Sequence, residues 1–360
     1  MSFAHRLLHW YDDNGRADLP WKRNVSAYRV WVSEIMLQQT RVQTAIPYYR
    51  RFIRRFPGVR KLAQAPLDDV MSHWSGLGYY SRARNLHAAA RIICEQFGGR
   101  VPRRFEHLVK LPGVGRSTAA AILALACGEH HAILDGNVKR ILARHDDIAG
   151  WPGRAAVGRR LWRAAEKRLP RERIADYTQA MMDLGALVCT RNNPDCGACP
   201  VAGDCRALAA GRVARRPAPR PGSVRRQRRI IALMALHRGR LLLERRPPKG
   251  IWGRLMSFPE APDKQRARAW YEHHLGQPDA ACYWPAVHHD LTHLRLVIVP
   301  LKLEYKSLNG AVADDIADDD RLVWCTLSAA SGAAAAPIKR LIGKLEEQTN
   351  GTDGSVRETG

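Results

Sequence analysis

The chain of 360 residues lacks a long apolar run. Its best stretch, residues 119–127, ends at Gly128 and is far shorter than the roughly 18 residues that a membrane helix needs. The first fifteen residues contain no apolar core long enough for a secretory signal. Acidic residues are scarce as well, 34 against 58 basic ones, which gives a net charge of +24. We therefore expect neither a membrane protein nor a secreted one.

The excess of basic residues is concentrated in one part of the chain. Residues 1–227 contain 39 basic and 18 acidic side chains, whereas residues 228–360 contain 19 and 16. An arginine-rich proteome would raise the charge everywhere, and the nearly neutral second part argues against it. A nucleic-acid partner for the first part would explain the difference, because basic contacts to phosphate supply most non-specific affinity.

The sequence pattern changes twice along the chain. Residues 1–210 are predicted to be helical, with apolar residues at helical spacing and almost no strand pattern. Residues 211–228 are rich in proline and arginine and are predicted to form a surface linker. Residues 229–345 predict an α+β domain, and residues 346–360 a polar tail. The predicted strands are Ile230–Leu236, Leu241–Leu243 and Leu294–Leu303, with an acidic loop at residues 313–320.

Four of the eight cysteines lie within seventeen residues, at the spacing C-x6-C-x2-C-x5-C. They are Cys189, Cys196, Cys199 and Cys205. Four thiolates can hold either zinc or a [4Fe–4S] cluster. Structural zinc sites usually come as two separated pairs, whereas here one ligand ends a helix and three follow on a short loop. This arrangement favours the cluster over zinc, and either one over a disulfide framework.

Two segments predict contacts to a phosphate and to a sugar. Leu111, Gly113 and Gly115 belong to an L-P-G-V-G turn between predicted helices, where bare backbone N–H groups could bind a phosphate. An ordinary corner between two helices would have the same pattern. Asp135 follows Gly115 by twenty residues, and Gly136 and a helical run come next. Taken alone, this aspartate is most simply explained as a helix N-cap.

Glu34 lies in the apolar sequence W-V-S-E-I-M-L-Q-Q-T. Three of its four neighbours at i±3 and i±4 are apolar. Desolvation would raise the pKa of the carboxyl group and leave it protonated near neutral pH. The alternative is an exposed glutamate on an amphipathic helix.

Together these motifs resemble the endonuclease III superfamily of helix–hairpin–helix DNA glycosylases. The resemblance implies a six-helix barrel with an iron–sulfur domain, which acts on a base that has left the stack. Bifunctional members carry a lysine where this chain has Ser117, and a hydroxyl cannot form a Schiff base. The closer similarity is therefore to the monofunctional adenine branch, the MutY type. In that branch Glu34 would protonate adenine, Asp135 would stabilise the oxocarbenium ion or form a transient bond, and Asn137 would orient water or the carboxylates.

The sequence G-Y-Y-S-R-A-R-N-L at residues 78–86 matches the same branch. The match implies that Tyr79 wedges beside the opposite base and that Gln39 enters the base stack. It also implies that Arg82 and Arg84 contact phosphate. On their own, the tyrosine could be a core residue and the arginines could face solvent.

Three residues are expected to line an adenine pocket. The sequence L-P-W-K at residues 19–22 is similar to an L-P-W-R stretch of the family, which implies pocket roles for Trp21 and Lys22. Lys22 replaces the arginine of the family. Gln179, ten residues before Cys189, is expected to touch adenine, although it could equally be a helix surface residue.

The sequence after residue 240 resembles the MutT/Nudix-like C-terminal domain of adenine glycosylases. It contains L-L-L-E-R-R, then G-I-W-G, then S-F-P, but no R-E-x2-E-E metal box follows Gly250. We therefore expect no nucleotide hydrolysis there. The resemblance implies recognition of 8-oxoguanine by Leu291, Thr292 and His293, where the family has Phe-Ser-His. A plain turn before the next strand is the alternative.

The predicted function is base excision repair. The enzyme would hydrolyse the N-glycosidic bond of adenine paired with 8-oxoguanine or guanine in double-stranded DNA and leave an abasic site, with a [4Fe–4S] cluster as cofactor. Two alternatives stay open: a bifunctional glycosylase and AP lyase of the endonuclease III type, and a non-catalytic binder of lesion DNA. We expect a monomer in the cytoplasm, associated with the nucleoid if the source is bacterial.

Overall fold

The computed structural model describes residues 1–222, 226–247, 250–253, 255–291, 294–308 and 321–352. The chain divides into two compact units. Residues 1–73 and 81–222 form the first, and residues 74–80 group with 223–360 in the second. In the ranges that the structure describes, no helix is long and apolar enough to cross a bilayer. The predicted fold class, a helical domain followed by an α+β domain, is confirmed.

The first unit consists of α-helices and short 3-10 turns. The 3-10 turns are Pro20–Lys22, Ala202–Asp204 and Val213–Arg215. The helices up to residue 209 are α1 (Phe3–Asn14), α2 (Ala27–Leu37), α3 (Val42–Arg55), α4 (Val59–Gln64), α5 (Leu67–Trp74), α6 (Ser81–Phe97), α7 (Phe105–Leu108), α8 (Arg116–Cys127), α9 (Gly136–His145), α10 (Ala155–Arg168), α11 (Ile174–Leu187) and α12 (Arg206–Ala209).

Helix α8 is the centre of this unit. Its buried stretch Ala119–Ala124 consists of four alanines, an isoleucine and a leucine, so neighbouring helices can approach its backbone closely. Helices α2 and α11 both pack against it. The helix ends at Gly128, whose φ of 67° is the left-handed conformation that glycine adopts without a Cβ penalty.

One glycine decides how closely α9 and α11 approach each other. A Cβ atom added at Gly185 on α11 would lie 2.5 Å from Cβ of Asn137 on α9. A larger residue at 185 would therefore push the first turn of α9 away from α11. Because Asp135 immediately precedes that turn, this contact fixes the position of a predicted catalytic residue.

The second unit is a mixed sheet with helices. Its strands and helices are β1 (Arg226–His237), β2 (Arg240–Arg245), β3 (Met256–Ser257), β4 (Glu260–Ala261), α13 (Lys264–His274), β5 (Ala280–Tyr283), β6 (Val287–Asp290), β7 (Leu294–Tyr305), β8 (Leu322–Thr326), α14 (Leu327–Ala333) and α15 (Ala336–Thr352). The main strand order is β3-β2-β1-β7-β5, with β8 on β2, β4 on β1 and β6 on β7.

Strands β1 and β7 are the two long central strands of the sheet. They pair in parallel along their whole length, from Arg226 opposite Leu294 to His237 opposite Tyr305. The middle of β1 is buried continuously from Ile230 to Ala235, as expected of a strand covered on both faces. The other pairings, including β1 with β2 and β2 with β8, are antiparallel.

The structure differs from the predicted boundaries at two places. Strand β1 begins at Arg226, inside the segment predicted as linker, because pairing with β7 extends beyond the apolar run into exposed arginines. Helix α15 continues to Thr352, so the first half of the predicted tail is helical. The acidic loop predicted at residues 313–320 lies outside the described residues.

Candidate active site

A cavity of about 590 Å³ opens in the first unit where α2, α8, α9 and α11 meet. Its lining collects side chains that are far apart in the sequence and that were predicted as a site. Those residues are Trp21, Lys22, Glu34, Gln39, Ser117, Asp135, Asn137 and Gln179. The structure thus brings the predicted acid, the predicted anion and the predicted adenine contacts to one place.

Glu34 lies on the last turns of α2 and is partly buried, with its remaining exposure toward the cavity. No donor among the residues that the structure describes hydrogen bonds to its carboxyl group. Burial, reinforced by repulsion from Asp135, raises the pKa of Glu34 to about 8. A carboxyl group with that pKa carries its proton at neutral pH and can act as a general acid.

Asp135 is the N-cap of α9 and lines the same cavity. One carboxylate oxygen accepts a hydrogen bond from the backbone N of Val138 at 2.8 Å, and the other from Nδ2 of Asn137 at 3.4 Å. Burial raises the pKa of Asp135, while backbone hydrogen bonds from Val138 and Asn137 and the charges of Arg140 and Lys139 oppose the rise. The cap hydrogen bond therefore fixes the carboxylate at the cavity surface rather than competing with a role there.

Asn137 and Ser117 hold the backbone and side chain around Asp135. Oδ1 of Asn137 accepts a hydrogen bond from Nη2 of Arg140 at 2.9 Å, and Arg140 Nε donates to the carbonyl of Cys189 at 2.8 Å. Oγ of Ser117 accepts from the backbone N of Leu134 at 2.9 Å. Both residues therefore position the carboxylate.

The opposite side of the cavity contains Trp21 and Lys22. Trp21 is buried in the 3-10 turn and meets the ring of Tyr49 edge-on, with centroids 5.4 Å apart. The ammonium of Lys22 donates to the Tyr11 hydroxyl at 2.8 Å and to the carbonyl of Arg16 at 2.7 Å. Lys22 thus anchors the segment before the turn, in addition to lining the cavity.

Gln179 is buried on α11 and bonds to a carboxylate one turn further along. Its Nε2 donates to Oδ1 of Asp183 at 2.8 Å. Asp183 is completely buried and also accepts from Arg16, through the backbone N at 2.9 Å and through Nε and Nη2 at 3.0 and 2.6 Å. Neither Asp183 nor Arg16 was predicted from the sequence. The i, i+4 spacing of Asp183 from Gln179 is the signal that could have revealed the first of them.

The glycine turn before α8 presents free amides. Gly113 has a φ of 78°, and a Cβ there would lie 2.9 Å from Cβ of Asn85. Gly115 is the N-cap of α8, and within the described residues the amides of Gly113 and Gly115 have no acceptor. Leu111 is different because its side chain is buried and its N–H donates to Leu108. The predicted DNA contact is therefore wrong for the side chain and the N–H of Leu111.

Arg82 has a structural role that the sequence did not reveal. It is buried, and its Nη1 lies 3.0, 2.7 and 2.6 Å from the carbonyl oxygens of Ile35, Met36 and Gln38. These are orphan carbonyls at the C-terminal end of α2, where a cation is favourable. The predicted phosphate contact of Arg82 is wrong because the guanidinium is used in this way. Arg84 is partly buried on α6, and its phosphate contact stays a prediction.

Gln39 and Tyr79 share an unusual backbone conformation. Gln39 has a φ of 58° in the turn after α2, and Tyr79 a φ of 49° before α6. Both side chains are exposed, Tyr79 by 47%. Left-handed conformations at residues other than glycine are uncommon and concentrate at functional sites. The insertion of these two side chains into a base stack stays a prediction.

The four clustered cysteines line one small pocket at the far side of α9. Arg144 on α9 donates to Sγ of Cys189 at 3.3 Å and to the carbonyls of Thr190 and Arg191 at 2.6 and 3.1 Å. Across the described ranges, no three of the His, Cys, Asp and Glu side chains are placed as a ready metal site. The sulfurs are therefore neighbours without a coordination geometry.

The predicted lesion contacts of the second unit are only partly described. Leu291 follows β6, is partly buried, and donates its N–H to the carbonyl of Leu294 at 2.8 Å. Thr292 and His293 lie outside the described residues.

Two family models match the chain. Residues 32–167 match the HhH-GPD superfamily of base excision DNA repair proteins, and residues 231–344 match a NUDIX domain. The adenine DNA glycosylase of Buchnera aphidicola subsp. Schizaphis graminum (strain Sg) is 38% identical over 83% of this chain and 86% of its own length. The Rattus norvegicus enzyme of the same name is 46% identical over 57% of this chain and 42% of its own length.

A solved structure shows the same helical fold. A thermostable thymine-DNA glycosylase covers 58% of this chain and 95% of its own, with 26% identity and a TM-score of 0.51. With the cavity and its two carboxylates, these similarities define a base excision repair DNA glycosylase whose substrate is DNA. Within that class the chain belongs to the adenine DNA glycosylase family, and the predicted family is confirmed.

Proposed function

We propose that this enzyme hydrolyses the N-glycosidic bond of adenine paired with 8-oxoguanine or guanine and leaves an abasic site. The observation that carries the proposal is the placement in one cavity of two carboxyl groups with different hydrogen-bond partners. Glu34 has a pKa of about 8 and no hydrogen-bond donor among the described residues, whereas Asp135 is held by two donors. One group can donate a proton while the other remains an anion.

The two groups divide the reaction between them. Glu34 donates its proton to N7 of the flipped-out adenine, so that the base leaves as a neutral molecule. As the bond breaks, positive charge develops on the sugar, and the Asp135 carboxylate stabilises it. Water then adds at C1′ and gives one proton to the Glu34 carboxylate, which restores the acid. Asn137 keeps the carboxylate in place, since its side-chain amide bridges Asp135 and Arg140.

The four cysteines are the proposed ligands of a [4Fe–4S] cluster. Their donor set suits such a cluster, and the sulfurs already line one pocket beside Arg144. When bound, the cluster would tie the loop that contains Cys196, Cys199 and Cys205 to Cys189, just after the end of α11. The residues of α9 that face the reaction lie at the opposite end of that helix from Arg144.

A lyase mechanism remains the second candidate because of one lysine. Lys139 lines the cavity, and no hydrogen bond or ion pair of its side chain is found among the described residues. An amine there could attack C1′ of the sugar. Ser117 cannot, and its oxygen is already bonded to the Leu134 amide. Borohydride trapping distinguishes the two mechanisms, because only a Schiff base yields a stable covalent complex.

The test of the proposed function is single-turnover release of adenine from a duplex with adenine opposite 8-oxoguanine. Parallel duplexes pair adenine with guanine and with thymine. We expect strand breaks only after alkali treatment, and faster release opposite 8-oxoguanine than opposite thymine. Strand breaks without alkali would indicate a lyase, and binding without release would indicate a non-catalytic binder. A preference that survives in a Thr292→Ala/His293→Ala variant would overturn lesion recognition by that loop.

A further inference from the structure

The side-chain amide of Gln179 has one defined orientation. The atom 2.8 Å from Oδ1 of Asp183 must be the NH2 nitrogen, because a carboxylate oxygen can only accept. Oε1 therefore lies on the other side of the amide. Among the described residues, no donor hydrogen bonds to Oε1. The atom is not one of the buried polar atoms without a partner, so it retains some exposed surface. Since Gln179 lines the cavity, its carbonyl oxygen is open to that space.

Asp183 cannot turn away from this arrangement. Its side chain has no exposed surface, and Arg16 holds it through three donors. The carbonyl of Arg16 is in turn held by the ammonium of Lys22 at 2.7 Å. A flipped Gln179 amide would place its oxygen against the buried carboxylate, and two acceptors in contact without a proton repel each other.

We propose that Asp183 is a positioning residue that makes the cavity select 6-amino over 6-oxo purines, by holding the Gln179 carbonyl oxygen toward the base. The inference rests on the proposed function. Adenine presents N7 as an acceptor and N6–H as a donor along one edge, whereas a 6-oxo purine presents two acceptors. Glu34 supplies the proton for N7, and Gln179 Oε1 accepts from N6–H. An O6 atom in the same place would face that oxygen directly.

The experiment measures single-turnover base release by the full-length enzyme from three duplexes. They contain adenine, purine or hypoxanthine opposite 8-oxoguanine. Purine lacks the exocyclic group, and hypoxanthine has O6 in its place. Each variant is compared with the wild type as a ratio of rates on two bases, which cancels the intrinsic reactivity of the bases.

We expect Asp183→Ala to lower the adenine-to-purine ratio about tenfold, because the freed amide no longer presents a fixed acceptor. The hypoxanthine-to-adenine ratio should rise in the same variant. Asp183→Asn should keep most of the wild-type ratio, since its carbonyl oxygen can still accept from Arg16 and Gln179. Gln179→Leu should lower the ratio as Asp183→Ala does, and combining the two should add nothing further.

The matched control is Asp12→Asn, which removes an exposed ion pair between α1 and Arg173 at the start of α11. It should leave all three rates unchanged. Equal losses on adenine and purine in Asp183→Ala would mean a merely structural role and would overturn the inference alone. The inference would also be overturned if Asp183→Asn lowered the adenine-to-purine ratio as much as Asp183→Ala does. If the wild type releases none of the three bases, the proposed function fails first.

Discussion

The two sides of the cavity differ in the partners that they provide for a carboxyl group. On the side that we call the acid side, Glu34 is partly buried without a hydrogen-bond donor or an ion pair among the described residues, and burial raises its pKa to about 8. On the other side, which we call the anchor side, Arg16 and Gln179 line the cavity and donate hydrogen bonds to the completely buried carboxylate of Asp183. Uncompensated burial makes a proton available for chemistry, whereas compensated burial makes a fixed acceptor.

The largest expected effect is on the acid side. Glu34→Gln removes the transferable proton while it preserves the shape of the side chain. Release of adenine should fall about 10³- to 10⁴-fold, which is at the upper end of what a general acid contributes. Single-turnover assays at pH 7 measure the loss. The control is Glu95→Gln on the exposed face of α6, which should not change the rate. An active Glu34→Gln enzyme would end the assignment of Glu34 as the acid.

On the anchor side, the same kind of substitution should also lower the stability of the fold. Asp183→Ala leaves the Arg16 guanidinium without its partner, and breaking a buried ion pair typically costs about 3–5 kcal/mol. Urea unfolding should show this loss, with Asp12→Asn changing the free energy of unfolding by less than about 1 kcal/mol. An equally stable Asp183→Ala protein would contradict the contrast between the two sides.

The pH dependence of stability sharpens the same comparison. The pKa of Glu34 is about 8 in the folded chain and 4.5 as its ordinary value, so the folded state binds the extra proton between these limits. The contribution of this residue to the free energy of unfolding is therefore complete below pH 4.5. It is lost as the pH rises from 4.5 through 8. Relative to the wild type, Glu34→Gln should gain stability on the order of 5 kcal/mol at pH 9 and none at pH 4. A constant difference across that range would show that the group is not buried as described.

Asp135→Asn tests whether the anion matters beyond the cap. Asparagine caps a helix about as well as aspartate, so the melting temperature should change little. Adenine release should fall about 10²- to 10³-fold, because the charge opposite the developing oxocarbenium ion is lost. A variant that is destabilised but still active would reduce Asp135 to a structural cap.

The smallest effect is expected at Lys22. Lys22→Met keeps the aliphatic chain but loses the hydrogen bonds to Tyr11 and to the carbonyl of Arg16. We expect a loss of about 1 kcal/mol in stability and a rate within about tenfold of the wild type. A loss as large as that of Glu34→Gln would place Lys22 in direct contact with the reacting groups.

Site residues that belong to a local sequence motif could be predicted from the sequence. Pairs of residues that are far apart along the chain could not. Glu34, Asp135 and Gln179 were found from their neighbours along the chain and do line one cavity. The partner of Asp183 is 167 positions away, and no spacing rule connects Arg16 to it.

Arg82 shows why a charged residue in a motif can mislead. Its place beside Tyr79 suggested a surface cation, but its guanidinium binds the carbonyls that end α2, 44 to 47 positions earlier. A basic side chain at a helix end is as useful to the fold as to a phosphate, and the sequence does not distinguish the two. In the same way, the exposed arginines at the start of β1 carry no strand pattern, although β7 pairs with them.

The parallel pairing of β1 with β7 has a consequence for synthesis. Arg226 pairs with Leu294, so β1 cannot pair with β7 until some seventy further residues have left the ribosome. All residues of the first unit precede residue 223, and so the unit with the cavity can be complete before the sheet begins. The order of the chain therefore lets the catalytic unit mature while the slower, non-local part is still being translated.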